Sequence, residues 1–205
     1  MRSRYGFADI PGCDVEGIFP SEPEPPLAAP AEDMYRGTYA AFLRPFIDQI
    51  RHIGDISLYF ISAGYGLIPS HQLIYYYECY LKEGSSRLPR IAANVMRQLD
   101  GILRDVQFNA AVVVLSGSYF ACLQGQPNLL SLVHDTQNPE TAIILVGKAS
   151  VTRYFEELAR DLGMDNQVIT HRRMGTVPIT DVQKRNILTV LAEIGDGAHE
   201  RDGLS

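Results

Sequence analysis

The stretch from Ser62 to Tyr80 concentrates more potential chemistry than any other part of this chain. Glu78 is a lone carboxylate among Tyr75, Tyr76, Tyr77 and Tyr80; a carboxylate so placed is a candidate general base, and tyrosine rings are flat surfaces on which a nucleobase can stack. Ahead of them, Ser62, Ala63, Gly64, Tyr65 and Gly66 form a glycine-rich stretch that permits close backbone approach to a ligand, with Tyr65 as a further stacking ring. The same composition also describes tyrosines that seal a core while Glu78 sits in water. Composition alone leaves both readings open.

Three other short segments carry groups of interest. Ser116-Gly117-Ser118-Tyr119 leaves an apolar run and enters a helical one, so its amides and hydroxyls could hold an anion or the polar edge of a ligand; an ordinary strand-to-helix turn has the same sequence. Gly147-Lys148-Ala149-Ser150 occupies the equivalent place after the next apolar run, and it lacks the GxxxxGK[ST] spacing that would indicate a nucleoside triphosphatase. His171 is followed by Arg172, Arg173 and Gly175. An imidazole titrates near neutral pH and can move a proton, while arginines are suited to phosphate. The alternative is a structural histidine beside two solvated arginines, paired with Asp181. Cys13, Cys79 and Cys122 are odd in number and widely spaced, which indicates neither a disulfide framework nor a zinc site. Cys79 adjoins Glu78 and is either a nucleophile or a small buried residue.

The elements that must position these groups are read from periodicity. Apolar residues Tyr39, Phe42, Leu43, Phe46, Ile47 and Ile50 recur at helical spacing between residues 35 and 53, with Pro45 as a kink or first-turn break. The run 57–62 (SLYFIS) has the composition of a strand covered on both faces. Beyond it the pattern alternates: helix 88–103, strand 110–115, short helix 119–123, strand 142–146, helix 151–162, strand 167–171 and helix 181–194. Thr180 and Asp181 can cap the last helix and Gly163 stops the one before it. Such alternation predicts a parallel sheet wrapped by helices, in which ligands bind beyond the carboxyl ends of the strands. The loops beginning at Ser62, Ser116, Gly147 and His171 would then share one edge.

The segment 21–30, SEPEPPLAAP, is too rich in proline for a helix or a central strand. Residues 1–30 are therefore expected to be an extended arm, 31–195 a single α/β domain, and 196–205 a flexible acidic tail. The net charge is −6, but the excess is terminal: residues 1–33 hold seven acids and two arginines, and residues 193–205 hold four acids and one arginine. What lies between has fifteen basic residues and thirteen acids, a balance that permits nucleic-acid binding without requiring it. No apolar run reaches the ~20 residues needed to cross a bilayer, and the N-terminus lacks the pattern of a secretory signal. A cytoplasmic protein without membrane contact is expected. The oligomeric state is not set by any of these features.

The segments APAEDMYRGTYAAF (29–42) and LYFISAGYGLIPSHQLIYYYECYL (58–81) resemble the A-x-x-L-Y-x-G and I-S-A-K-Y-G-L-I-P…P-Y-E pattern of a bacterial family. That family is related to the domain found beside archaeosine transglycosylases and, more distantly, to uracil-DNA glycosylases. The resemblance spans residues 29–175, with its distinctive motif at 58–81. Gly64 stands where the family has lysine and Tyr76 where it has proline, and the family's early strand with cysteine and lysine is not evident around Cys13.

The resemblance implies a three-layer αβα fold around a central four-stranded parallel sheet, and a DNA glycosylase that excises a modified base to leave an abasic site. Within the group the chain is similar to antiphage glycosylases that act on glucosylated hydroxymethylcytosine, which would make modified phage DNA its partner. Carried over to this sequence, Glu78 would activate water and His171 would stabilise the departing base. Ser62, Ala63, Gly64, Tyr65 and Tyr77, with Ser116, Gly117 and Ser118, would hold the flipped nucleotide; Arg172, Arg173 and Lys148 would meet phosphates. Breaking an N-glycosidic bond develops positive charge on the sugar and negative charge on the base, so a carboxylate and a donor suffice without metal or cofactor. Two other readings compete. One is an enzyme of 7-deazaguanine in RNA or of nucleosides, and the other is a non-catalytic module that binds a modified nucleotide or a protein. Glu78 together with His171 separates the enzymes from the module.

Overall fold

The structure, a computed structural model, describes residues 28–35, 37–75, 81, 84–125, 127–173 and 177–202. Tyr76, Tyr77, Glu78, Cys79 and Tyr80 lie outside the described residues, as do Gly175 and almost all of the arm predicted over 1–30. The elements run β1 (Ala28–Pro30), α1 (Ala31–Met34), α2 (Thr38–Arg51), β2 (Tyr59–Ser62), β3 (Gly66–Pro69), β4 (Leu73–Tyr75), α3 (Leu88–Asp105), β5 (Ala110–Val114), α4 (Gly117–Phe120) with a 3₁₀ turn at Ala121–Leu123, α5 (Leu129–Thr136), β6 (Ala142–Gly147), α6 (Ala149–Leu162), β7 (Val168–Arg172) and α7 (Asp181–Asp202).

β5, β6 and β7 form a parallel sheet in that order, with Val114 opposite Val146 and Val146 opposite His171. Successive residues of a strand point to opposite faces, and both faces here are apolar. Ile143 and Leu145 of the central strand, each fully buried, join Val95 and Met96 of α3, Leu130 and Val133 of α5, and Phe155 of α6 in one core. Ile144 and Val146 join Phe46 of α2 and Ile187 of α7 in the other. The sheet therefore lies between α3, α5 and α6 on one side and α2 and α7 on the other, an αβα arrangement. α3 fits this role because Leu88, Ile91, Val95, Leu99 and Leu103 fall on one stripe. α6 ends at Gly163, whose φ of 70° is the left-handed C-cap expected there.

The expected four parallel strands are not found. Among the described residues the parallel sheet has three strands, and the run predicted to be the first of four, β2, pairs antiparallel with β3, Tyr59 opposite Pro69 and Ser62 opposite Gly66. The reversal is local. Gly66 has φ 82°, which lets the chain turn straight back after Ser62, and a short closure costs less entropy than a distant one. The stretch 62–75, expected as an open loop, is thus largely strand. β4 pairs in turn with β1, Ala28 opposite Tyr75, so the end of the predicted arm is built into the fold. Three helices also depart from expectation: the short α1 and α5 are not among the predicted elements, and α7 continues to Asp202, beyond residue 194.

Candidate active site

Two of the predicted loops meet at the carboxyl edge of the sheet. β5 delivers Ser116, Gly117 and Ser118 while β6, its neighbour, delivers Lys148 at the N-cap of α6. Gly147 makes the junction tight: a β-carbon there would come to 3.0 Å from the Phe120 ring and 3.1 Å from Val151, so both side chains would have to give by a few tenths of an ångström to admit one. The exposed Lys148 side chain lies over Gly117. Together Gly117, Ser118, Lys148 and Ser150 form the polar side of a cleft of about 180 Å³, and Leu88 and Ala121 line its apolar side. Its volume is below the ~300–1,000 Å³ of sites that enclose a drug-sized ligand. It matches a phosphate or one edge of a sugar or base. A groove of about 280 Å³, lined by Glu156, Arg160, Asp165 and Val168, holds none of the predicted groups.

His171 and Arg172 share an edge but not a face. Val168 packs with the α3/α5/α6 core and Ile169 with the α2/α7 core, so strand alternation turns His171 toward α2 and α7 and Arg172 toward α6. Thr170 fits the same register, its hydroxyl donating to Glu156 of α6 at 2.5 Å. His171 is half-buried, and its Nε2 is buried with no hydrogen-bond partner among the described residues. Burial lowers the pKa of the imidazole, which favours the neutral ring. A neutral imidazole with one ring nitrogen unoccupied can offer a proton or a lone pair to a group placed against it. The Arg173 amide donates to Gly147 O at 2.6 Å and so carries the parallel register one step past the strand.

The Ser62–Tyr65 turn is more structural than the sequence suggests. Ser62 is 1% exposed, and its Oγ accepts from the amides of Gly64 at 3.2 Å and Tyr65 at 2.9 Å. Ala63 is buried in the main core. Tyr65 packs with Phe60 and Tyr35 against a small cluster of Ala31, Ile68 and Ile74. That is the core-sealing alternative for this ring, and only Gly64 and the outer part of Tyr65 reach the surface of the turn. The turn is held over α3, where Gln98 Oε1 accepts from the Leu67 amide at 2.8 Å.

Cys122 is fully buried, and desolvation pushes its thiol up to about 11, so it is not a nucleophile near neutral pH. Among the described residues no three His, Cys, Asp or Glu side chains group as metal ligands, and no helix is long and apolar enough to cross a membrane. Sequence reasoning missed Ser150 and Leu88 as cleft residues; nothing in the sequence places Leu88 beside a loop thirty residues on. It also missed Gln183, although Thr180-Asp181-Val182-Gln183 carries the S/T-x-x-E/Q capping-box spacing. No family model matches this chain, and no curated protein or solved structure is significantly similar to it.

Proposed function

We propose that the protein is a DNA glycosylase that takes a modified base out of the duplex and cleaves its N-glycosidic bond. The observation that carries this reading is His171: a neutral imidazole, its Nε2 buried and unpartnered among the described residues, at the carboxyl edge of a parallel sheet. The motif resemblance at 58–81 supports it independently. Cleavage leaves negative charge on the departing base, and an imidazole N–H brought against it would favour that charge as it develops. Glu78 is assigned the complementary part, activating water and steadying the sugar cation. Lys148 with Ser116 and Ser118 takes a phosphate at the cleft, and Arg172 and Arg173 extend the positive rim. Extruding the nucleotide costs a few kcal/mol of stacking, which backbone contacts of this kind help to offset.

The small cleft bears on the substrate. A volume of about 180 Å³ does not enclose a glucosylated cytosine nucleotide, so the sugar of such a base would project past the rim rather than enter it.

The test is to incubate the protein with unmodified DNA and with phage DNA carrying glucosylated hydroxymethylcytosine, count abasic sites and identify the released base by mass spectrometry. Release from the modified DNA is expected. Glu78→Gln should lower the single-turnover rate by about two orders of magnitude or more while leaving DNA binding intact. Binding of modified DNA with no base released, and no effect of Glu78→Gln, would favour the non-catalytic module.

A further inference from the structure

The first turn of α7 carries more hydrogen bonds than a helix cap requires. Thr180 and Gln183 form a capping box: the Gln183 amide donates to Thr180 Oγ1 at 3.3 Å, and Gln183 Oε1 accepts from the Thr180 amide at 2.9 Å and from its hydroxyl at 3.1 Å. In such a box glutamate and glutamine serve equally, because only the side-chain oxygen is used. Here the other end of the carboxamide is used too. Gln183 Nε2 donates to the backbone carbonyl of Arg172 at 2.8 Å. The orientation of the amide is fixed, since a backbone N–H can only donate and a backbone C=O only accept. Gln183 is buried, at 9% exposure, so neither bond is easily replaced by water.

The Nε2 bond ties the start of α7 to the last residue of β7. On one side of that residue is His171, and on the other is Arg173, whose amide reaches Gly147 beside Lys148. Glutamate would keep the cap but has no donor for the Arg172 carbonyl; methionine would keep neither; asparagine is one methylene short.

We propose that Gln183 is a positioning residue of the site, a tether from α7 that fixes the carboxyl end of β7 and with it the placement of His171 and Arg173. The tether itself is the bond from Gln183 Nε2 to the Arg172 carbonyl, and the bond from the Thr180 amide to Oε1 holds the carboxamide that makes it. That it serves catalysis rests on reading this edge as the active site, and the experiment keeps the two apart.

The discriminating variant is Gln183→Glu, which retains the capping box and severs the tether. By hydrogen exchange, the protection of the Arg173 amide, taken relative to amides of β6, should fall at least tenfold. It should recover as pH is lowered and the introduced carboxyl gains a proton to donate. By NMR titration, the His171 ring should move toward the behaviour of a solvated imidazole. Thr180→Ala, which removes a cap hydroxyl and spares the tether, should lower the melting temperature without either change. Single-turnover excision should fall at least tenfold in Gln183→Glu and stay near the parental rate in Thr180→Ala. Unchanged Arg173 protection in Gln183→Glu overturns the tether; an altered strand end with parental excision overturns its positioning role. If the parental protein excises nothing, the glycosylase reading falls, and exchange with His171 titration decides the tether alone. Should Gln183→Glu not fold, exchange in the parental protein decides: the Gln183 carboxamide protons and the Arg173 amide must open together, and independent opening refutes the tether.

Discussion

Lys148 lies across Gly117: a β-carbon built on the glycine would sit 3.4 Å from both Cε and Nζ of the lysine. The contact joins loops from two adjacent strands and sets an exposed cation against the turn that carries Ser116 and Ser118. The hydroxyls of these two serines lie 3.4 Å apart.

If that cation meets a phosphate, Lys148→Ala should weaken binding of duplex DNA about equally for all sequences and reduce the slope of log K against log salt by about one. Fluorescence anisotropy at several salt concentrations measures both. An unchanged slope would remove Lys148 from the interface.

His171 gives the protein a pH dependence whose sign is fixed. Its pKa is lowered in the folded state by burial, so as pH falls below the unfolded value of about 6.5 the unfolded chain takes up a proton that the native ring does not. Stability is full above that pH and declines below it, by at most about 1.4 kcal/mol per pH unit, until the folded pKa is reached. Urea unfolding of the parental protein and of His171→Phe between pH 7.5 and 5 should show a shallower decline in the variant. Parallel curves would mean that His171 is not desolvated.

Gly66→Ala should destabilise the β2–β3 hairpin. The φ of 82° alone costs about 1–2 kcal/mol with a β-carbon present, and that carbon would fall 2.3 Å from Asn94 Nδ2 and 2.4 Å from Gln98 Oε1. Both neighbours are side-chain ends, but Gln98 moves only by giving up its bond to the Leu67 amide. A total of about 2–3 kcal/mol is expected by chemical denaturation, with exchange of the Leu67 amide accelerated. A loss under 0.5 kcal/mol would show that the hairpin is not seated on α3.

Cys122 should resist thiol reagents in the folded protein at pH 8 and react only on unfolding, since its thiol is fully buried and ionises near pH 11. Peptide mapping after brief alkylation separates it from Cys13 and Cys79. Cys122→Ala should cost about 1 kcal/mol for the small cavity and leave excision unchanged.

Local signals in the sequence determined much of this architecture. The apolar runs of β5 and β6 and the stripes of α3 and α6 are periodic over enough residues to specify type and extent, and Gly163 marks a helix end by its own backbone preference. The parallel sheet followed from their alternation, and with it the shared edge that brings Ser116, Lys148 and His171 to one end of the molecule. α5 escaped because its eight residues, Leu129–Thr136, make barely two turns, too short a window for helical periodicity to stand out.

Only the tertiary structure decided how these pieces pair. The residues of β2 suit a parallel sheet and a hairpin equally, because a short apolar strand does not encode its partner; a glycine at 66 and the seat offered by α3 made the choice. The divergence of His171 and Arg172 was equally hidden. With apolar layers on both sides of the sheet, alternation is certain but its phase is not, and the phase is set by Val168 and Thr170 meeting one set of helices and Ile169 the other. The bond from Gln183 to Arg172 is the extreme case. Thr180 and Gln183 announce a cap in the sequence, but a carboxamide has two ends, and what the second one holds depends on where the fold places the end of a strand.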